Sequence, residues 1–324
     1  MPFPGEHYWR SDNRALVWEA NRHTTSSLAD PELAEWVAGM RGGPVTFDVE
    51  EARAQGRARA LARPRGPELR RVTDREIDGP AGPLALRLYE PERAGRRAIV
   101  YLHGGMWMLG DLESHDRTCR LLAEATSARV LAVDFRRAPE HPWPAAVEDG
   151  LVAVAWAAAE LGADSPVLAG DSSGGHLALL VALRLREQGG PVGGLLLANP
   201  NTDLRLDSRS IEELGHGWGL DADSLRWAVA HWLPAGVAPE DPAVSPLLAD
   251  LSGLPPTVLI TADHDPLRDE GNALAEALRD ARVPVVHRCE PGMVHGFIQN
   301  LDLVSPGAAR ATARFHRDAR ALVG

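Results

Sequence analysis

From Ala98 onward, six short apolar runs recur at intervals: Ala98 to Leu102, Arg129 to Phe135, Pro166 to Ala169, Gly194 to Ala198, Thr257 to Thr261 and Val283 to His287. Helix-like stretches lie between most of them. Strands that alternate with helices connect through right-handed crossovers, so this pattern demands an α/β fold: a mostly parallel sheet with helices on both faces. Ahead of the runs, Arg71 to Ile77 and Leu84 to Tyr89 flank the Gly- and Pro-rich segment 78–83 and read as a hairpin. Residues 1 to about 70 read as amphipathic helices, with Trp9, Trp18, Leu28, Leu33, Trp36 and Val37 punctuated by Asp30-Pro31 and Gly42-Gly43-Pro44. The gap from Ala198 to Thr257 exceeds a simple crossover and carries Trp218, Leu225, Trp227, Val229 and Trp232 at helical spacing. The chain therefore divides into an N-terminal helical segment, 1–70, and a core, 71–324, with an insertion at about 202–246 that is expected to fold with the N-terminal helices.

Open parallel sheets carry their functional loops at the carboxyl ends of the strands, so the polar residues that follow each run are informative. Four runs lead into chemistry-bearing residues: His103-Gly104-Gly105-Met106, then Ser172, then Asp263 and Asp265, then His295. Ser172 stands in Gly170-Asp171-Ser172-Ser173-Gly174-Gly175, at a strand-to-helix junction. A serine on so tight a turn needs minimal neighbours two residues away on each side, and Gly170 and Gly174 supply them. A serine hydroxyl is a poor nucleophile at neutral pH. A histidine must take its proton, and a carboxylate must fix that histidine's tautomer and stabilise the imidazolium. His295, beside Gly296 and after Pro291-Gly292, sits in a loop suited to a base. Asp265 is the expected acid, with Asp263 as its first rival and Asp269 close by. Backbone amides of Gly104, Gly105, Met106 and Ser173 are candidates for an oxyanion hole, and His103 is expected to orient that loop. The consecutive Asp263, His264 and Asp265 do not make a metal site, because neighbours on a strand end point different ways.

Composition removes several rivals. All 34 basic residues are arginine, and without lysine there is no Ser-Lys dyad, no Schiff base and no Walker-type phosphate loop. A net charge of −11 disfavours nucleic acid or an anionic membrane as partner, and the arginine-rich stretch Arg53 to Arg75 reads as a solvated helix face. The two cysteines, Cys119 and Cys289, are expected to be free core residues. No stretch reaches about 18 uninterrupted apolar residues, and the N-terminus lacks an apolar core, so a soluble cytoplasmic protein is expected. No cofactor is required by this chemistry.

The segments His103-Gly104-Gly105, Arg137-Ala138-Pro139-Glu140-His141-Pro142, Gly170 to Gly175, Asp265-Pro266-Leu267-Arg268-Asp269-Glu270-Gly271 and His295-Gly296-Phe297 resemble, in order and spacing, the hormone-sensitive-lipase-like serine esterases. The resemblance runs from about residue 70 to the C-terminus. It implies an α/β-hydrolase fold with an eight-stranded core under a helical cap, and Ser172, Asp265 and His295 as nucleophile, acid and base. Two positions depart from the family. Met106 replaces the usual third glycine of the His-Gly-Gly-Gly loop, and Asn199-Pro200-Asn201 stands where relatives tend to have a tyrosine before the proline. The expected activity is hydrolysis of a small to medium acyl ester through an acyl-enzyme. An amide, N-acyl or lactone hydrolase acting on a natural product would use the same triad, and a receptor that keeps the fold without catalysis is the alternative of another class. Trp107 and Trp218 are candidates to line an apolar substrate pocket, while Glu140 and Asp171 are expected to hold loops. An edge strand near Val283 to His287 offers a pairing route to a homodimer.

Overall fold

The computed structural model describes residues 28–40, 48–95 and 97–324. Its eight strands are β1 (Arg71–Gly79), β2 (Gly82–Glu90), β3 (Ala98–Leu102), β4 (Arg129–Asp134), β5 (Val167–Asp171), β6 (Gly194–Ala198), β7 (Thr257–His264) and β8 (Val285–Val294), in the spatial order β1-β2-β4-β3-β5-β6-β7-β8. The first three in space pair antiparallel, and every pairing from β4–β3 to β7–β8 is parallel. The expected hairpin is present with a tighter turn, since Gly79 pairs with Gly82 across Pro80 and Ala81 alone. The last strand is displaced from its expected place: it begins at Val285 and runs to Val294, which delivers the chain directly to His295.

The interior strands are apolar on both faces because both are covered. Val100, Leu102, Leu168, Leu195, Leu197 and Leu259 pack under α4 (Ala145–Leu161), α5 (Ser173–Glu187) and α8 (Arg268–Asp280). Their sequence neighbours Ile99, Tyr101, Ala169, Leu196, Val258 and Ile260 point the other way, toward α3 (Asp116–Thr126), the short α9 (Phe297–Asn300) and α10 (Pro306–Val323). Each fully buried aliphatic side chain of this kind contributes about 1.5–3 kcal/mol relative to exposure, so the two clusters dominate stability and hold the carboxyl ends of β3 to β8 rigidly together. Cys119 is buried as expected, whereas Cys289 is exposed, because β8 is an edge strand and part of its surface has no cover.

Two helices precede the sheet, α1 (Pro31–Met40) and α2 (Val49–Leu61). The expected features at Trp9, Trp18 and Gly42-Gly43-Pro44 lie outside the described residues. The helix α1 buries Leu33 and Val37, and Asp30 at its start accepts hydrogen bonds from the Ser305 hydroxyl and the Gly307 amide at the start of α10. In contrast, α2 buries no side chain. It is held by charge instead: Arg53 donates to both Glu140 oxygens and to the Met108 and Ala138 carbonyls, and Arg57 pairs with Asp111. The stretch read as a solvated face thus contains two anchors to the core. Between β6 and β7 lie α6 (Arg209–Leu214) and α7 (Ala222–Trp232), and α1 reaches this region, with the Trp36 ring 3.5 Å from where a side chain on Gly219 would begin. Among the described residues, no helix is long and apolar enough to cross a membrane.

Candidate active site

Ser172 joins β5 to α5 with φ 53° and ψ −127°, a backbone conformation that L-residues seldom adopt and that surrounding structure must enforce. The enforcement is steric. A Cβ on Gly170 would lie 2.3 Å from the Gly174 carbonyl group, and one on Gly174 would lie 2.1 Å from the Leu102 oxygen, so only glycine lets α5 approach β3 and β5 this closely. The Ser172 amide donates to the Ala198 carbonyl at 2.8 Å, and the His176 amide closes the turn on the Ser172 carbonyl at 3.1 Å.

Three expected residues meet at this edge. His295 Nε2 lies 2.9 Å from Ser172 Oγ, and His295 Nδ1 lies 2.8 Å from Asp265 Oδ2. Asp265 is fully buried. Its rivals are not near the histidine: Asp263 is half-exposed beside His264, and Asp269 accepts from the Ser210 amide and Arg268. Burial pushes the His295 pKa down, but the charge and hydrogen bond of Asp265, with the charge of Asp171, outweigh it and leave the imidazole more basic than usual. The geometry therefore suits a base that draws a proton from Ser172 and holds it against a carboxylate.

The loop after β3 presents amides to the same space. Gly105, Met106 and Trp107 all have positive φ, at 126°, 55° and 59°, and the amides of Gly105, Met106 and Ser173 donate to no other described group. Gly104 departs from its expected part, because its amide donates to Asp171 Oδ1 at 3.1 Å and so is not free for an oxyanion. His103 behaves as an orienting group: its Nδ1 donates to the Gly104 carbonyl at 3.0 Å, and its ring stacks on Phe135. Burial, aided by its neighbour His115, pushes its pKa down to about 3, so it stays neutral.

Asp171 holds a loop as expected, through the Gly104 amide, whereas nothing in the sequence singles out His115. The Asp171 carboxylate is buried and accepts from Tyr101 Oη and Gln299 Nε2, each at 2.6 Å, besides Gly104. Burial would raise its pKa, yet His115 and these hydrogen bonds hold it well below the usual carboxylate range. Asn199 was noted only as a departure from the family pattern. It donates from Nδ2 to Asp265 Oδ2 at 2.8 Å.

Neither expected pocket tryptophan faces open space. Trp107 is buried, donates to His176 Nδ1 at 3.0 Å and stacks on Trp232, and Trp218 is buried against the His264 ring. A cavity of about 330 Å³ does adjoin His295, walled by Trp36, Arg63, Leu220, Leu301, Leu303 and Val304 among others. The one triad of potential metal ligands found among the described residues, His216, Asp221 and Asp223, has another explanation. Asp221 caps α7 by accepting from the Asp223 and Ser224 amides, and it pairs with His216.

Comparison with known proteins agrees with this architecture. A family model described as the alpha/beta hydrolase fold matches residues 99–299. The carboxylic ester hydrolase LipN of Mycobacterium tuberculosis is 41% identical over 291 residues, covering 85% of this chain and 77% of that protein. The carboxylesterase NlhH of the same species is 40% identical, covering 84% of this chain and 90% of that protein. Among solved structures, a hyperthermophilic esterase from Pyrobaculum calidifontis superposes with a TM-score of 0.79 at 35% identity, covering 85% of this chain and 94% of that one.

Proposed function

The chain belongs to the hormone-sensitive-lipase-like family of α/β-hydrolase-fold carboxylic ester hydrolases, and from that premise we propose that it cleaves a small to medium acyl ester through an acyl-enzyme on Ser172. The observation that carries the reading is the continuous line from Ser172 Oγ through His295 to Asp265, with links of 2.9 and 2.8 Å. His295 Nε2 takes the Ser172 proton as Oγ attacks the ester carbonyl. The oxyanion that forms is received by the amides of Gly105, Met106 and Ser173, one such donor being worth about 2.7–4 kcal/mol of barrier. Collapse expels the alcohol, which leaves with the proton from His295. Water then repeats the sequence: His295 takes its proton, hydroxide adds to the acyl carbon, and the proton returns to Ser172 as the acid departs. Asp265 keeps the Nδ1 proton in place throughout.

The cavity beside His295 is the proposed substrate space, and at about 330 Å³ it falls at the small end of small-molecule sites. Its walls come mostly from the 295–304 segment that follows β8, with Trp36 of α1, Arg63, and Gly219 and Leu220 of the 202–246 insertion completing them; we assign α1 and the insertion to the cap over the 71–324 core. An aryl ester series of increasing acyl length tests the reading. The parent should hydrolyse short to medium members and lose rate on long ones, and Ser172→Ala should abolish turnover, with a loss of about 10⁴-fold or more. Full activity in Ser172→Ala rules the assignment out.

A further inference from the structure

Asn199 is one residue beyond β6, buried, with φ 47°. Left-handed backbone is costly for most side chains and tolerated by Asn and Asp, so the position narrows the choice before any contact is considered. Its amide is anchored, because its N–H donates to the Ile260 carbonyl at 2.8 Å, and the following loop is pinned where the Thr202 amide donates to Glu270 Oε1 at 2.7 Å. The side chain is thereby aimed at Asp265 Oδ2, 2.8 Å away, the same oxygen that receives His295 Nδ1. A carboxylate offers only acceptors, so the group facing it must be the NH2 of the amide and not its oxygen. The other carboxylate oxygen accepts from the Leu267 amide at 2.9 Å, and the Asp265 plane is fixed from three sides.

We infer that Asn199 is a positioning residue for the proposed triad: its neutral N–H dipole holds Asp265 Oδ2 on line with His295 and moderates the pull of that oxygen on the imidazolium. The inference rests on the serine-hydrolase reading. A lysine or arginine here would quench the carboxylate, and an apolar residue would leave it held from two sides only, with Oδ2 fixed by nothing but His295. An amide does neither. The titratable groups facing the pair make no hydrogen bond to it but act on it through space: the charge of Asp171 at the end of β5 raises the basicity of His295, and the buried Glu270 on α8, its pKa pushed up, interacts with Asp265, while Arg63 lies across the cavity.

The test compares pH profiles of kcat and kcat/KM for a neutral short-chain aryl ester in the parent, Asn199→Gly and Asn199→Asp, with Ser172→Ala alongside. Glycine keeps the left-handed backbone and removes the donor. Its kcat should fall roughly ten- to a hundredfold with KM little changed, as expected when a reacting group is misaligned. The acidic limb of kcat/KM should move up by about half a pH unit, because Oδ2 then acts on His295 undivided. Asn199→Asp has the same shape but sets a second carboxyl against Asp265, and the pair must share a proton. It should lose more activity than the glycine variant and show an additional titration in its profile. If Asn199→Gly does not fold, Asn199→Asp decides the matter. Parent-like kcat and an unmoved acidic limb in the folded variant overturn the inference. Activity surviving in Ser172→Ala would instead overturn the underlying reading.

Discussion

Asp171, next in sequence to the proposed nucleophile, is 1% exposed and acts through others. Its carboxylate fixes the Gly104 amide, which in turn sets where Gly105 and Met106 aim theirs. Its charge also raises the basicity of His295. Asp171→Asn should therefore lower kcat about 10²-fold through a displaced oxyanion loop. The same change should shift the acidic limb of kcat/KM downward, since an imidazole relieved of a nearby negative charge gives up its proton at lower pH. A pH-rate profile reads both, and a limb that stays in place counts against the electrostatic part. The proposed roles of Ser172, Asp265 and His295 were legible from chemistry and position after a strand. A loop-holding part for Asp171 was legible as well, but not its partners Tyr101, Gln299 and His115, which come from three distant segments. The burial of Trp107 was equally hidden: nothing local says that its indole turns inward to His176.

The junction of β5 and α5 is where element packing becomes chemistry. Gly174 lies against the Leu102 oxygen, so Gly174→Ala must push α5 off β3 and carry Ser172 and Ser173 with it. We expect loss of activity and destabilisation by about 1–3 kcal/mol or more, measured by thermal unfolding. Gly56 is the contrasting case. It sits mid-helix in α2 with nothing within 4 Å of an added Cβ, so Gly56→Ala should stabilise by about 0.5–1 kcal/mol and leave turnover unchanged. The elements themselves were largely readable, since period and apolar content mark interior strands. The exceptions have physical causes. The strand β8 shifted because an edge strand is apolar on only part of its length, and α2 turned out not to be amphipathic because Arg53 and Arg57 hold it by ion pairs that no periodicity announces.

The folded molecule as a whole carries an acid liability. Burial pushes His103 down to about 3, and His176 and His316 to about 4. Each is depressed relative to the unfolded value near 6.5, so the unfolded chain binds more protons below that pH, and stability is lost as pH falls from about 6.5 toward 4. Glu140, held at about 2 by Arg53, and Asp171 add losses below about pH 4.5. Glu270 opposes them, since burial raises its pKa and its contribution is greatest in acid. His264 and His287 are also lowered by burial, making five depressed histidines against a raised His295 and the raised carboxyls of Asp134 and Glu270. The melting temperature should therefore begin to fall near pH 6.5, and His176→Gln should flatten the slope. A melting temperature constant from pH 7 to 5 would refute this. The sequence by itself determined the parallel sheet, the order of the strand-end residues and the class of reaction, because period, apolar content and loop chemistry are local properties of the chain. Only the tertiary structure decided that Gly104 serves Asp171, that Asn199 reaches Asp265, and that the 295–304 segment shares a cavity with Trp36 of α1 and Leu220 of the insertion. Those are contacts between segments far apart in the chain, and their geometry exists only once the two apolar clusters have set every strand end in place.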